Sequence, residues 1–172
     1  MSKLRFDVVS LFPEAFKDFF NHGLIKRAFE EKIASIHIHN PRDHSIDNYR
    51  KVDDEPYGGG AGMVLKPEPY FSVFDQIPKL HKRRVLLMTP QGKKVSQSDF
   101  SRWSKEDQLI LICGSYEGFD ERIRSLVDEE ISIGDFVLTG GEIPAITVIN
   151  GVVRLLPGTL GSSQSLEEES HN

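Results

Sequence analysis

Two apolar runs that end in glycine carry the chemistry open to this chain. Residues 109–118 pass from Leu109 through Cys113 to Gly114 and Gly118, and residues 131–144 pass from Ile131 through Leu138 to Gly140, Gly141 and Pro144. A strand ending in glycine leaves backbone N–H and C=O groups open to a ligand, because no side chain blocks them. Adenine and ribose can be held by such main-chain edges, so the two runs suggest one small-molecule pocket at the strand ends of an α/β sheet. Two further residue types could act on a bound substrate. Arg154 interrupts the apolar stretch of Val152, Val153, Leu155 and Leu156. An arginine near a helix C-terminus complements the helix dipole, or presents a fork of donors to an oxygen that gains charge. Glu167, Glu168 and Glu169 could supply a general base, although such a run is by default an acidic linker.

Other motifs are weaker. Residues 57–62, from Tyr57 through Gly58, Gly59 and Gly60 to Gly62, could offer consecutive N–H groups to a phosphate, or form a flexible turn. They are followed by no Gly-Lys-Ser/Thr and lack the third glycine of the dinucleotide fingerprint, which disfavours a dehydrogenase. Ser115 lacks the glycine spacing of a nucleophile elbow. His37 and His39 alternate on a strand without further well-placed ligands and read as half-exposed strand residues. Cys113 stands alone in an apolar run, so it reads as a buried structural thiol, with no intramolecular disulfide and no cysteine-based zinc site.

The elements that must position these residues alternate. Strands are expected at 4–11, 34–40, 84–90, 108–114 and 130–139, and helices beyond Pro13 with a break at His22 and Gly23, at 67–76, from Ser96 to about Glu106, at 119–127 and at 143–156. Ser96 with Asp99 forms a capping-box pattern. The order predicts an α/β domain with a mainly parallel sheet. Residues 41–65 show no periodicity, and a loop of that length is usually functional or disordered. The segment after Pro157 reads as a mobile linker.

With 172 residues the chain forms one domain with a core of its own, with or without a tail. Its net charge of −5 means that any RNA contact comes from local patches such as Lys26 with Arg27 or Arg50 with Lys51, each of which alone reads as solvated surface. The N-terminus carries no signal-peptide core and no apolar run reaches the roughly 18 residues of a membrane span, which fits a cytoplasmic protein.

Taken together, residues 6–14, 40–43, 52–63, 113–122, 131–144 and 154–158, in this order and spacing, resemble the bacterial tRNA (guanine-N1)-methyltransferase family of knotted methyltransferases. The likeness covers nearly the whole chain. It implies an α/β-knot, a mainly parallel sheet with a deep C-terminal trefoil knot, and a homodimer with active sites at the interface. By the family pattern S-adenosylmethionine would be lined by Thr89, Pro90, Gly114, Tyr116, Glu117, Ile133, Gly134, Asp135, Phe136, Val137, Leu138, Gly140, Gly141 and Pro144. The likeness implies methylation at N1 of the guanosine immediately 3′ of the tRNA anticodon, with Asp53, Tyr57, Gly58 and Gly59 toward the substrate, and the use of Mg²⁺. Arg154 would stabilise charge on O6. The base falls on Glu169, where the family has an aspartate before a serine, with Glu168 as the alternative. Ser115 stands where the family commonly has a basic residue. Residues 1–160 would form the catalytic domain and 161–172 the start of an interdomain linker, ahead of a helical tRNA-binding domain that this chain does not contain. A chain of this extent is expected to bind the donor and to methylate tRNA poorly. A knotted methyltransferase acting on ribosomal RNA, or a binding module without catalysis, are the competing readings.

Overall fold

A computed structural model describes residues 4–114, 118–161, 164–167 and 169–171. Five strands build one sheet in which every neighbouring pair is parallel: β1 (Leu4–Val9), β2 (Ala34–His39), β5 (Arg83–Lys94), β6 (Gln108–Cys113) and β7 (Glu129–Ser132), in the spatial order β2-β1-β6-β5-β7. All six residues of β6 are buried, as expected of a central parallel strand covered on both faces. A two-stranded antiparallel piece, β3 (Asp53–Asp54) with β4 (Val64–Leu65), lies within the segment that lacked periodicity.

The two faces of the sheet hold two apolar clusters. On one, Leu4, Phe6 and Val8 of β1 and Leu109 and Leu111 of β6 pack with residues of α1 (Glu14–Lys17), α2 (Gly23–Glu30), α4 (Gln97–Trp103) and α5 (Glu142–Val153). On the other, Val9, Ile110 and Ile112 pack against Tyr70, Val73 and Phe74 of α3 (Pro67–Gln76) and against Ile123 of a 3₁₀ turn at Glu121–Leu126. Alternation along β1 and β6 therefore supplies both cores, because successive side chains point to opposite faces. α3 starts at Pro67, which suits the first turn of a helix. α4 carries the expected capping box between Ser96 and Asp99 but stops at Trp103, short of Glu106.

Three expected elements differ. The strand expected at 84–90 does not stop at Pro90. It bulges, so that Ile131 of β7 faces both Met88 and Lys93, and β5 resumes through Lys94. The helix expected at 119–127 is a 3₁₀ turn, started by the Asp120 side chain accepting from the Arg122 N–H at 2.9 Å. The strand expected to reach Thr139 ends at Ser132. The Ser132 hydroxyl donates to the Gly134 carbonyl at 2.8 Å and accepts from the Gly134 N–H at 3.2 Å, which turns the chain off the sheet. The expected mobile linker also contains order: α6 (Gln164–Glu167) follows a turn in which Thr159 is buried and its carbonyl accepts from Arg27.

One buried carboxylate fastens the β2–β1–β6 side of the sheet. Asp7, fully buried in β1, accepts from Arg5 through both oxygens at 2.8 Å, from His39 Nε2 at 2.8 Å and from Gln108 Nε2 at 2.8 Å. His39, partly exposed on its strand as expected, thus also ties β2 to β1. Burial alone would raise the Asp7 pKa, but the hydrogen bonds from His39, Arg5 and Gln108 outweigh it and hold the carboxyl well below the usual range. Asp7→Ala leaves Arg5 without its carboxylate and Gln108 with only the Pro78 carbonyl as acceptor, and we expect a loss of about 3 kcal/mol in urea unfolding at pH 7, the lower end for a broken buried pair because Arg5 reaches solvent. A depressed folded-state pKa contributes stability in full above the unfolded value of about 3.9. That contribution fades as pH falls below it, so Asp7→Asn should flatten the stability curve below about pH 4.

Candidate active site

The carboxyl ends of β5, β6 and β7 lie at one edge of the sheet, and a cavity of about 700 Å³ opens there. Three segments wall it. The bulge after Met88 brings Thr89, Pro90 and Gln91 over one side, Gly114, Gly118 and Phe119 follow β6, and the chain from Ile131 to Gly141 forms the third wall. Pro144, in the first turn of α5, closes the base.

Backbone contact sets this shape. The Gly141 N–H donates to the Gly114 carbonyl at 2.7 Å. A Cβ on Gly141 would stand 2.9 Å from Cys113 Cα and 3.0 Å from Gly114 N, backbone atoms that cannot swing aside. Gly92 meets the same limit, since a Cβ there would lie 2.4 Å from the Ile131 N of β7. Glycine at these two positions lets the walls touch main chain to main chain. Next to them, the Ser10 hydroxyl, buried at the end of β1, donates to Glu142 at 2.8 Å and ties the first turn of α5 to the central sheet. Cys113 is fully buried, and burial first, then the Glu142 carboxylate, pushes its thiol pKa up. It is a structural thiol.

Of the expected donor-site residues, Thr89, Pro90, Gly114, Ile133, Gly134, Phe136, Val137, Leu138, Gly140, Gly141 and Pro144 line the cavity. Asp135 does not; its carboxylate points outward and accepts from Lys94 Nζ at 2.6 Å. Tyr116, Glu117 and Glu168 lie outside the described residues. Sequence reasoning passed over Gln91, Phe119, Glu121 and Arg124, which also line the cavity. Arg124, with Arg122, reads from the sequence as the polar side of a helix, whereas a 3₁₀ turn carries Glu121 and Arg124 to the cavity.

The other expected residues sit apart from it. Tyr57 is 91% exposed, and Gly58 and Gly59 follow it with φ of +81° and +82°. This loop is nonetheless anchored beside the cavity: Leu65, at its end, donates to the Gly118 carbonyl at 3.2 Å and accepts from the Asp120 N–H at 3.2 Å. Asp53 pairs with Leu65 in the short ladder. Arg154 caps the C-terminus of α5 and is ion-paired with Glu169. The hydrogen bond from Arg154 holds the Glu169 carboxyl below its ordinary value. The structure thus brings the arginine and one linker glutamate together, but neither lines the cavity of the same chain. Among the described residues no group of three or more His, Cys, Asp or Glu side chains is placed to hold a metal, and no helix is long and apolar enough to cross a membrane.

Fold and cavity together define a parallel-sheet α/β domain with a ligand pocket at the strand ends. The pocket's volume lies within the range of small-molecule and cofactor sites. Comparison with known proteins then narrows the class. The family described as tRNA (Guanine-1)-methyltransferase TrmD matches residues 4–172. The chain is 65% identical, over its whole length and 72% of the relative's, to a tRNA (guanine-N(1)-)-methyltransferase of Synechococcus sp. (strain CC9311). It is 56% identical, over 97% of its length and 72% of the relative's, to the enzyme of that name from a Synechocystis strain. Among solved structures, the crystal structure of tRNA (m1G37) methyltransferase from Aquifex aeolicus superposes with a TM-score of 0.86 at 41% identity, covering 94% of this chain and 73% of that one. The chain belongs to the tRNA (guanine-1)-methyltransferase family and is an enzyme of that type.

Gly141→Ala tests the main-chain contact. The added methyl has no room between Met88, Cys113 and Gly114. We expect a loss of about 1–3 kcal/mol in urea unfolding, the usual cost of overpacking. Gly161→Ala, whose Cβ would meet nothing within 4 Å, serves as the silent control.

Proposed function

We propose that this protein transfers the methyl group of S-adenosylmethionine to N1 of the guanosine immediately 3′ of the tRNA anticodon, and that it does so in the cytoplasm. The observation that supports this reading most is the cavity of about 700 Å³ at the ends of β5, β6 and β7, walled by the segments that carry the family pattern. It suits the donor. Leu87, Met88, Ile131, Leu138 and Pro144 supply apolar surface for a purine, and the main chain around Gly114, Gly140 and Gly141 supplies edges that hydrogen-bond it. When bound, the donor supplies an electrophilic methyl group on a sulfonium.

The rest of the chemistry falls to the chain's own side chains. N1 of guanosine carries a proton at neutral pH and is a poor nucleophile until that proton leaves. Glu169 takes it; its pairing with Arg154 favours the ionised carboxylate that a base must be. As N1 loses its proton, negative charge moves to O6, where the Arg154 guanidinium offers donors. Each group therefore trades its present partner for an atom of the guanine ring. Glu169 reaches one methylene further than the aspartate implied by the family pattern, and here it is ion-paired with Arg154. Mg²⁺, implied by the family likeness, finds no ready cluster among the described residues, and no step here depends on it.

Two architectural readings accompany this one. Gly92 meets Ile131, and Gly141 meets Cys113 and Gly114, main chain to main chain, an arrangement suited to the family's trefoil knot; residues 1–160 would form the knotted domain and 161–172 lead into a linker. A homodimer would bring the Arg154–Glu169 pair of one copy to the donor cavity of the other. In its favour, Phe136, Val137 and Leu138 at the cavity and Ile143 in the first turn of α5 stand 51%, 81%, 39% and 61% exposed, and clustered exposed apolar side chains mark interaction surfaces.

Arg154→Ala should lower the turnover of tRNA methylation about 10²–10³-fold, the cost of one oxyanion-type donor, while calorimetry shows donor affinity changed less than twofold. An equal fall in donor affinity would assign Arg154 to donor binding instead. Light scattering should show a dimer that Val137→Asp converts to monomer; a wild-type monomer would remove the shared-site reading.

A further inference from the structure

Among the described residues lining the cavity, Glu121 and Arg124 are the only two that carry formal charge, and they stand together on one 3₁₀ turn at its rim. The remainder of the described lining is apolar or neutral.

Arg124 is held in place but not used up. Its Nη1 pairs with Glu130, and its Nε lies 3.3 Å from Glu121 Oε2 without forming a hydrogen bond. Nη2 has no partner among the described residues. A guanidinium has five N–H donors in a fixed fork, so this one is oriented by two carboxylates with donors to spare. Its side chain is 34% exposed and that of Glu121 is 84% exposed, so a ligand can reach both. An anchored guanidinium fits a carboxylate bidentately and gives up little rotamer freedom on binding. The free carboxylate oxygen of Glu121, one helical turn away, fits an ammonium. This pair matches the two charges of an α-amino acid.

We propose that Glu121 and Arg124 form the subsite that recognises the zwitterionic amino-acid end of the methyl donor, Arg124 taking the α-carboxylate and Glu121 the α-ammonium, and so select an intact sulfonium amino acid over truncated nucleosides. This rests on the donor reading above. It gives the pocket a polarity: purine against the glycine-edged floor, amino acid at the charged rim.

Calorimetry with two stable ligands tests it. S-adenosylhomocysteine carries the amino-acid end, and 5′-methylthioadenosine shares the nucleoside and thioether but lacks that end. The wild-type chain should bind the first at least tenfold more tightly than the second. Arg124→Ala should lower affinity for S-adenosylhomocysteine at least tenfold and leave that for methylthioadenosine within twofold. Arg124→Lys, which keeps the charge and tests the point if the alanine variant does not fold, should lose less than the alanine variant and again spare methylthioadenosine. Unchanged affinity for S-adenosylhomocysteine in the variants overturns the proposal, and so does an equal loss for both ligands, which marks Arg124 as merely structural. Failure of the wild-type chain to bind either ligand defeats the donor reading itself, and the subsite with it.

Discussion

The hydrogen bond from the Gly141 N–H to the Gly114 carbonyl is the constraint on which the site depends. It joins the chain just before α5 to the end of the central strand at a distance that tolerates no side chain. Because α5 starts there, its apolar face lands on the sheet, where Ala145, Val148, Ile149, Val152 and Val153 are buried. Because β6 ends there, the loops after β5 and β7 must pass on either side, and the space between them becomes the cavity. One main-chain contact thus sets both the packing of the longest α-helix in the described chain and the width of the pocket. The same helix carries Arg154 at its far end, so the pocket and the arginine are placed by a single rigid element.

A second polar anchor works at the other side of the sheet. Asp7 gathers donors from three strands, and that cluster stands where an apolar core would otherwise be continuous. The two anchors differ in kind. The glycine contact is steric and indifferent to pH. The carboxylate cluster is electrostatic and holds only while Asp7 is ionised. Between them lies β6, which carries Gln108 at one end and Gly114 just beyond the other.

Much of this could be read from residue order, for identifiable reasons. Pro67 and the Ser96–Asp99 box mark helix starts because their chemistry is local. The alternation of β1 and β2 and the unbroken apolar run of β6 mark strands. The glycine-ended runs point to the pocket walls, since an absent side chain is visible without coordinates. What stays hidden depends on distant partners. Ser132 ends β7 through a side-chain hydrogen bond that competes with the β-branched pattern around it. β5 runs past Pro90 because Gly92 can press against Ile131. Arg124 looks like surface until a 3₁₀ turn and the bulge of β5 bring it to the cavity rim. Local pattern offers Arg154 as a donor and three linker glutamates as a base without choosing among their bland readings; resemblance singles out Glu169, with Glu168 as the alternative, and the structure adds that Arg154 and Glu169 are paired.

The position of β1 has a consequence for how this chain comes to be folded. β1 lies between β2, which follows it closely, and β6, whose Gln108 bonds to Asp7 across 101 residues of sequence. Such distant pairings delay folding, because the chain must lose the entropy of a long loop before the contact rewards it. On a ribosome β1 would emerge with only its β2 neighbour to pair with, its other edge and its aspartate open to water until β6 had followed about a hundred residues later. The sheet is therefore completed from its middle, and late. A nascent chain of this kind offers an unpaired strand edge during synthesis, the form of exposure that chaperones guard.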